Sequence, residues 1–305
     1  MEKLITSRAV IGEMYMRLNA TAASYVDRYA MKMDSSQEIE TYAWLGMAPK
    51  MREWVGGRQP KGLRENSFQI TNKDFEATLE ILTKDLRREK WGQIKVRIAE
   101  LSRRTLTHPA SLMSALIVNG KSSLCYDGQY FYDTNHAEGE SGAQSNDLTF
   151  PASTGTTPTV AEMRDAIMQA IQAILGFKDD VGEPMNEDAR EFDVMVPTAL
   201  WALGVSAVTL PTLDQGASNI LKNMADFKIN VVPNARLSDA TEFYVNRTDA
   251  ETKPFILQEE VPINVAAIAE GSELEFKEKK HWYGVDWAGN MGYGFWQHSV
   301  LTTFT

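Results

Sequence analysis

Trp44-Leu45-Gly46-Met47-Ala48-Pro49-Lys50-Met51-Arg52-Glu53-Trp54 runs directly into Val55-Gly56-Gly57-Arg58-Gln59-Pro60-Lys61-Gly62-Leu63-Arg64. Two tryptophans sit among glycines, prolines and the cations Lys50, Arg52, Arg58, Lys61 and Arg64. Neither a helical nor a strand period survives, so the stretch predicts a long extended loop. Next come Ser67 to Thr71, the turn-like Asn72-Lys73, and an alternation of Phe75, Ala77, Leu79 and Ile81 against Glu76, Thr78, Glu80 and Leu82. That pattern predicts a β-hairpin. A lone hairpin is marginal in water, and a loop of more than about twenty residues is uncommon in a compact domain unless it is functional. Together they predict an arm whose missing partners lie on another molecule.

Upstream, Ile11, Tyr15, Leu18, Ala22, Tyr25 and Tyr29 recur at helical spacing and predict an amphipathic helix over residues 7–33. Its aromatic stripe, Tyr15, Tyr25 and Tyr29, packs either on its own body or on a neighbouring chain. Downstream, residues 85–119 read as helical, with Pro109 kinking or dividing them and Asn119-Gly120 as the C-terminal stop. Gln129 to Tyr132 predicts a short strand, and residues 137–159 a loop. Thr159 caps a strong helix that ends at Gly176. From Phe192 the texture changes to short strands at Val194–Pro197, Ile229–Pro233, Phe243–Val245 and Phe255–Leu257. Late strands follow at Leu274–Phe276 and from Trp282 to Thr305. The organisation is α+β, with a strand-rich insert inside a body that the C-terminal residues return to complete.

The chain has 305 residues, 43% of them hydrophobic, enough to build a real core. Its single cysteine, Cys125, excludes an internal disulfide and a zinc ribbon. No apolar run follows Met1 to Arg8 as in a secretory signal, and none approaches the ~20 residues that span a bilayer. The expectation is a soluble protein in a reducing cytoplasm, with no membrane partner. The formal net charge of −10 argues against a general duplex-DNA binder. Residues 50–104 nevertheless carry 14 basic and 8 acidic side chains, and residues 105–305 carry 12 and 27. A basic strip on an acidic body suits subunits that dock head to tail, and equally suits a solvated basic face.

No catalytic constellation stands. Ile117-Val118-Asn119-Gly120-Lys121-Ser122-Ser123 ends like a phosphate loop, but Ala115 occupies the place of the first glycine. Gly289 to Gly294 has the wrong spacing for a dinucleotide fingerprint. His108, His136, His281 and His298 are scattered; His136, near Asp133, Glu138 and Glu140, is the one candidate metal nest, and it reads as a solvated or capping loop residue. Ser141 is one residue short of a nucleophile elbow. Cys125 reads as a small buried hydrophobe, and the acidic run from Asp179 to Asp193 as a solvated loop. No catalytic residue, metal or cofactor is expected.

Two segments carry a resemblance: Trp44-Leu45-Gly46 through Arg58 together with Phe68 to Glu76, and Tyr126-Asp127-Gly128-Gln129-Tyr130-Phe131-Tyr132-Asp133-Thr134-Asn135-His136. They resemble the major head subunit of Mu-like phages and prophages, over essentially the whole chain. The resemblance implies the HK97-like major capsid fold. Residues 1–43 would be the N-terminal arm, 44–84 the extended loop, and 85–190 with 258–305 the peripheral domain, its spine helix at 85–120. Residues 191–257 would be the axial domain around the axes of hexamers and pentamers. With about forty residues before the loop, the expectation is a separate scaffold protein or an already trimmed chain. The implied function is self-assembly into an icosahedral head that encloses DNA without sequence-specific binding, in the virion and assembled in the host bacterial cytoplasm. A portal and a decoration protein are the further implied partners. Subunit-contact candidates are Trp44, Lys50, Arg52, Trp54, Arg58, Lys61, Arg64, Tyr15, Tyr25 and Tyr29. Cross-linking chemistry is not carried over, because no partner asparagine or carboxylate is identified. An encapsulin-like compartment shell and a soluble enzyme with an unrecognised site are the alternatives.

Overall fold

The computed structural model describes residues 6–19, 25–42, 45, 68–88, 90–154, 157–212, 216 and 218–305. It opens with helices α1 (Ser7–Leu18) and α2 (Val26–Tyr29), then strands β1 (Ala30–Asp34), β2 (Ile39–Thr41), β3 (Gln69–Thr71) and β4 (Lys73–Leu82). Helices α3 (Thr83–Arg87), α4 (Trp91–Leu106) and α5 (His108–Asn119) follow, then β5 (Asp147–Phe150), α6 (Val160–Gly176), β6 (Glu191–Val196), α7 (Trp201–Thr209) and α8 (Ile220–Asn223). The remainder is β7 (Lys228–Pro233), β8 (Glu242–Arg247), β9 (Phe255–Ile268), α9 (Glu273–Glu278), β10 (Lys280–Tyr293) and β11 (Ser299–Phe304).

Two sheets organise these elements. The first has the order β1-β9-β10-β4, with β1 parallel to β9 and the other neighbours antiparallel. The second has the order β5-β11-β8-β6-β7, with parallel pairs at its two ends. A small core joins Val10 and Met14 of α1 to Ile94 and Ile98 of α4 over Ile81, Tyr283 and Val285 of the first sheet. A larger core runs from α5 through α6 into the second sheet.

Several local signals do what their chemistry dictates. Thr159 accepts from the Glu162 amide while the Glu162 carboxylate accepts from the Thr159 amide, a complete capping box that starts α6. Pro109 divides the long helical stretch by sitting in the first turn of α5, where its missing amide proton costs no helical bond.

Other expectations are corrected. β3 and β4 form no hairpin: only Asn72 separates them, fewer than the two residues of a tight turn. β3 instead pairs with β2, and β4 pairs with β10 from Lys73↔Gly289 to Leu82↔Lys280. The alternation in β4 is real, but it sets Phe75, Ala77, Leu79 and Ile81 toward the helices. The expected helix over 7–33 ends at Leu18, and Ala30 already begins a strand. Leu274 to Phe276 lies in helix α9, capped by Ser272, rather than in a strand. Gln129 to Tyr132 makes only an isolated bridge, Leu124 to Tyr130. Gly120 is right-handed, so it is no left-handed cap; a Cβ there would lie 2.6 Å from the Tyr132 ring, and glycine is kept by that close approach. The strand-rich unit is also wider than 191–257, because β5 and β11 belong to its sheet and α6 packs on it.

Candidate assembly surfaces

Trp44, Lys50, Arg52, Trp54, Arg58, Lys61 and Arg64 lie outside the described residues. The base from which their segment departs is described, and one side chain organises it. Gln258 of β9, fully buried, accepts a hydrogen bond from the Tyr42 hydroxyl at 2.7 Å. Its amide donates to the Ile70 carbonyl at 3.2 Å and to Asn72 Oδ1 at 2.7 Å. Both strands of the base are thereby tied to one residue of the first sheet, and Asn290 adds a bond to the Thr71 carbonyl at 2.7 Å. Sequence reading missed Gln258, since a single glutamine in a strand gives no local signal.

The three tyrosines have different environments. Tyr15 on α1 is 40% exposed and open to a neighbour. Tyr25 is half-buried, its hydroxyl on Ser114 Oγ at 3.0 Å and the Ala110 carbonyl at 3.3 Å. Tyr29 is corrected: it is fully buried within its own chain, where its hydroxyl donates to Asp193 at 2.7 Å. Burial, and then the adjacent Asp193 carboxylate, push its phenol well above the usual range. Asp193 also pairs with Arg28 and accepts from Asn230 at 2.9 Å. The acidic run is therefore not uniformly solvated: Asp193 is buried, while Asp188 stays exposed as it meets the buried Arg247 at 2.7 Å.

Helix α1 is fixed at its start. The Ser7 amide donates to Glu270 at 2.8 Å, and its hydroxyl shares a hydrogen bond with Tyr283 at 2.7 Å. Partial burial pushes the Glu270 carboxyl up, but the Ser7 bonds outweigh it and hold the group below the usual range. Further along, Glu13 meets Arg17 at 3.0 Å and Lys95 of α4 at 3.6 Å.

Cys125, Asp127 and His136 place three ligand-type atoms within 4.8 Å of one another. All three already have partners. His136 Nδ1 lies 2.6 Å from Asp127 and Nε2 lies 3.1 Å from Asn146 Oδ1, while the Cys125 thiol donates to Asp127 at 2.9 Å. Asn146 in turn donates to the Phe131 and Ser299 carbonyls. His136 is thus buried, stacked on Trp296 at 3.9 Å, rather than solvated as the sequence suggested. Burial pushes the Cys125 thiol far up, with Asp127 adding to the shift, the opposite of what a nucleophile needs. The cluster is a polar lock on the residues between α5 and β5.

The architecture is that of the HK97-like capsid proteins, the class of subunit that builds phage heads. The procapsid subunit of bacteriophage JBD30 matches it with a TM-score of 0.59 at 23% identity, covering 97% of this chain and 73% of that one. The family model of the Mu-like prophage major head subunit gpT matches residues 7–157 and 225–303, and the chain belongs to that family. It is 35% identical to the major capsid protein of Escherichia phage Mu over 115 residues, 38% of each chain. It is 25% identical over 289 residues to the FluMu major head subunit of Haemophilus influenzae, covering 94% of this chain and 69% of that protein. The match to the Mu protein therefore spans well under half of that relative's length.

Proposed function

We propose that this chain self-assembles, through hexamers and pentamers, into the icosahedral head shell of a Mu-like tailed phage or prophage and encloses its DNA without reading sequence. The observation that carries this reading is the family match over residues on both sides of the segment 158–224. A structural role asks for no reacting group, and the buried thiol and histidine above are held as packing and hydrogen-bonding elements. Among the described residues no helix is long and apolar enough to cross a membrane.

In this reading residues 1–43 act as an arm, 44–84 as the loop that reaches a neighbour, α4 and α5 as the spine, and the five-stranded sheet as the axial unit. Trp54, Arg52 and Arg58 are the loop anchors, because tryptophan and arginine dominate measured hot spots. Their cationic loop would meet acidic surface drawn from residues 105–305, which makes assembly sensitive to salt within a screening length of about 8–10 Å. A scaffold protein, a portal and a decoration protein are the additional partners.

The test is electron microscopy and sedimentation of the purified chain, alone and with co-expressed phage proteins. Closed shells are expected, and Trp54→Ala should reduce their yield. A small oligomer under every condition would overturn the reading, as would a natural particle loaded with an enzyme instead of DNA.

A further inference from the structure

We propose that helix α7 carries a knob and a hollow by which one copy of this chain grips the next, Trp201 of one copy entering the uncharged hollow beside α7 of its neighbour. The proposal rests on the shell-forming reading above and names one of its contacts.

Charge selects this face. No Asp, Glu, Lys, Arg or His occurs between Asp193 and Asp214, in a chain whose net charge is −10. Copies of an acidic chain repel one another, and they meet at lowest Coulomb cost where neither presents a charge. The segment is apolar as well as neutral, and the carboxylate on the rim of the hollow, Asp239, is engaged by Thr241. Trp201, the first residue of α7, is 48% exposed, while the exposed Leu210 and Ile220 lie at the other end of the helix. A half-exposed tryptophan is a candidate anchor, since tryptophan is the residue most often found at the energetic centre of an interface.

The hollow lies next to the knob. It has a volume of about 570 Å³ and is lined by Pro158, Ala199, Ala202, Leu203, Ser206 and Thr241, among others, none of them ionisable. Ala202 and Ser206 are four residues apart on one helical face, and their small side chains leave the gap. Trp201 precedes Ala202 by one residue, about 100° around the helix. The indole therefore leaves from the side of the hollow and is not part of its lining. Knob and hollow on different faces of one helix make a head-to-tail contact, the kind that closes into a ring when the rotation between copies allows it. Trp201 and the α7 side of the hollow fall within residues 158–224, which the family model leaves unmatched, while Thr241 on its far wall lies in the matched part.

The experiment places the photoreactive aromatic p-benzoylphenylalanine at position 201 and irradiates particles assembled from a mixture of isotopically heavy and light chains. Mixed-isotope dimers are expected, with adducts on the peptide holding Ala199 to Ser206 or on those holding Pro158 or Thr241. Adducts confined to the same chain, to another region of a second copy or to a different protein would overturn the contact. Ala202→Arg, at an exposed position, supplies a second arm. It should leave far-ultraviolet circular dichroism unchanged and lower particle yield at least about tenfold. Wild-type particle yield from Ala202→Arg would also overturn the contact. If the unmodified chain forms no particles, the shell reading itself fails; if it forms them and these two arms fail, only this contact does.

Discussion

The Tyr29 hydroxyl donates to Asp193 across 2.7 Å, and that bond ties α2, which leads into the first sheet, to β6 inside the second. Arg28 and Asn230 complete the strut. Asp193→Ala leaves three polar partners behind, one of them, Tyr29, fully buried, and should cost about 2–4 kcal/mol in urea unfolding. Tyr29→Phe, which removes one bond, should cost about 1 kcal/mol. Equal, near-zero effects of the two variants would mean that the sheets are held together by apolar packing alone.

Gln258 gathers Tyr42, Ile70 and Asn72, and its replacement by leucine keeps the volume but strands a buried hydroxyl. Gln258→Leu should destabilise by about 1–3 kcal/mol and speed hydrogen exchange at the Tyr42 and Asn72 amides, which now bond to the Phe68 and Glu38 carbonyls. Unchanged exchange at both amides would show that β2 and β3 hold the base without it.

His298 gives the fold an acid sensitivity. Burial, with Arg247 and Lys253 nearby, holds its pKa down at about 3 against an ordinary 6.5. Above the ordinary value the ring is neutral in both states and contributes its full stability. As pH falls from about 6.5 toward 3, the unfolded chain takes up a proton that the folded chain refuses, so stability drops through that window. His298→Gln should flatten this part of the stability profile relative to the parent. Parallel profiles would assign the acid loss to other groups.

The Cys125 thiol, buried and donating to Asp127, should resist an aromatic disulfide reagent in the native protein and react fully in denaturant. Fast labelling of native material would contradict the lock formed with His136 and Asn146.

What the sequence announced was local. Thr159 and Glu162 mark the start of α6 because the capping box lies within four residues, and Pro109 marks the break between α4 and α5 because its ring acts on its own turn. The pairing of β4 was invisible, since its partner begins at Lys280 and alternation tells which face is apolar but not which strand lies alongside. Ala30 and Leu274 were misread for a related reason: short apolar groups fit either period, and the long strand β9 and the Ser272 cap decided them. For the contact residues, Tyr29 shows that an aromatic at helical spacing carries no label of inner or outer face. Gln258 and the buried Asp193 gave no signal because their partners are remote in sequence.

Both edges of the first sheet are supplied by early residues, β1 and β4, while its centre, β9 and β10, comes more than 170 residues later. A nascent fragment that stops before Phe255 therefore holds two outer strands with nothing between them, and the apolar stripe of α4 lacks the Tyr283 and Val285 part of its floor. Folding of this half must wait until ribosomal synthesis has passed Tyr293. In the proposed shell-forming role, growth of a particle by capture of partly made chains is thereby disfavoured, and recruitment is left to finished, released molecules.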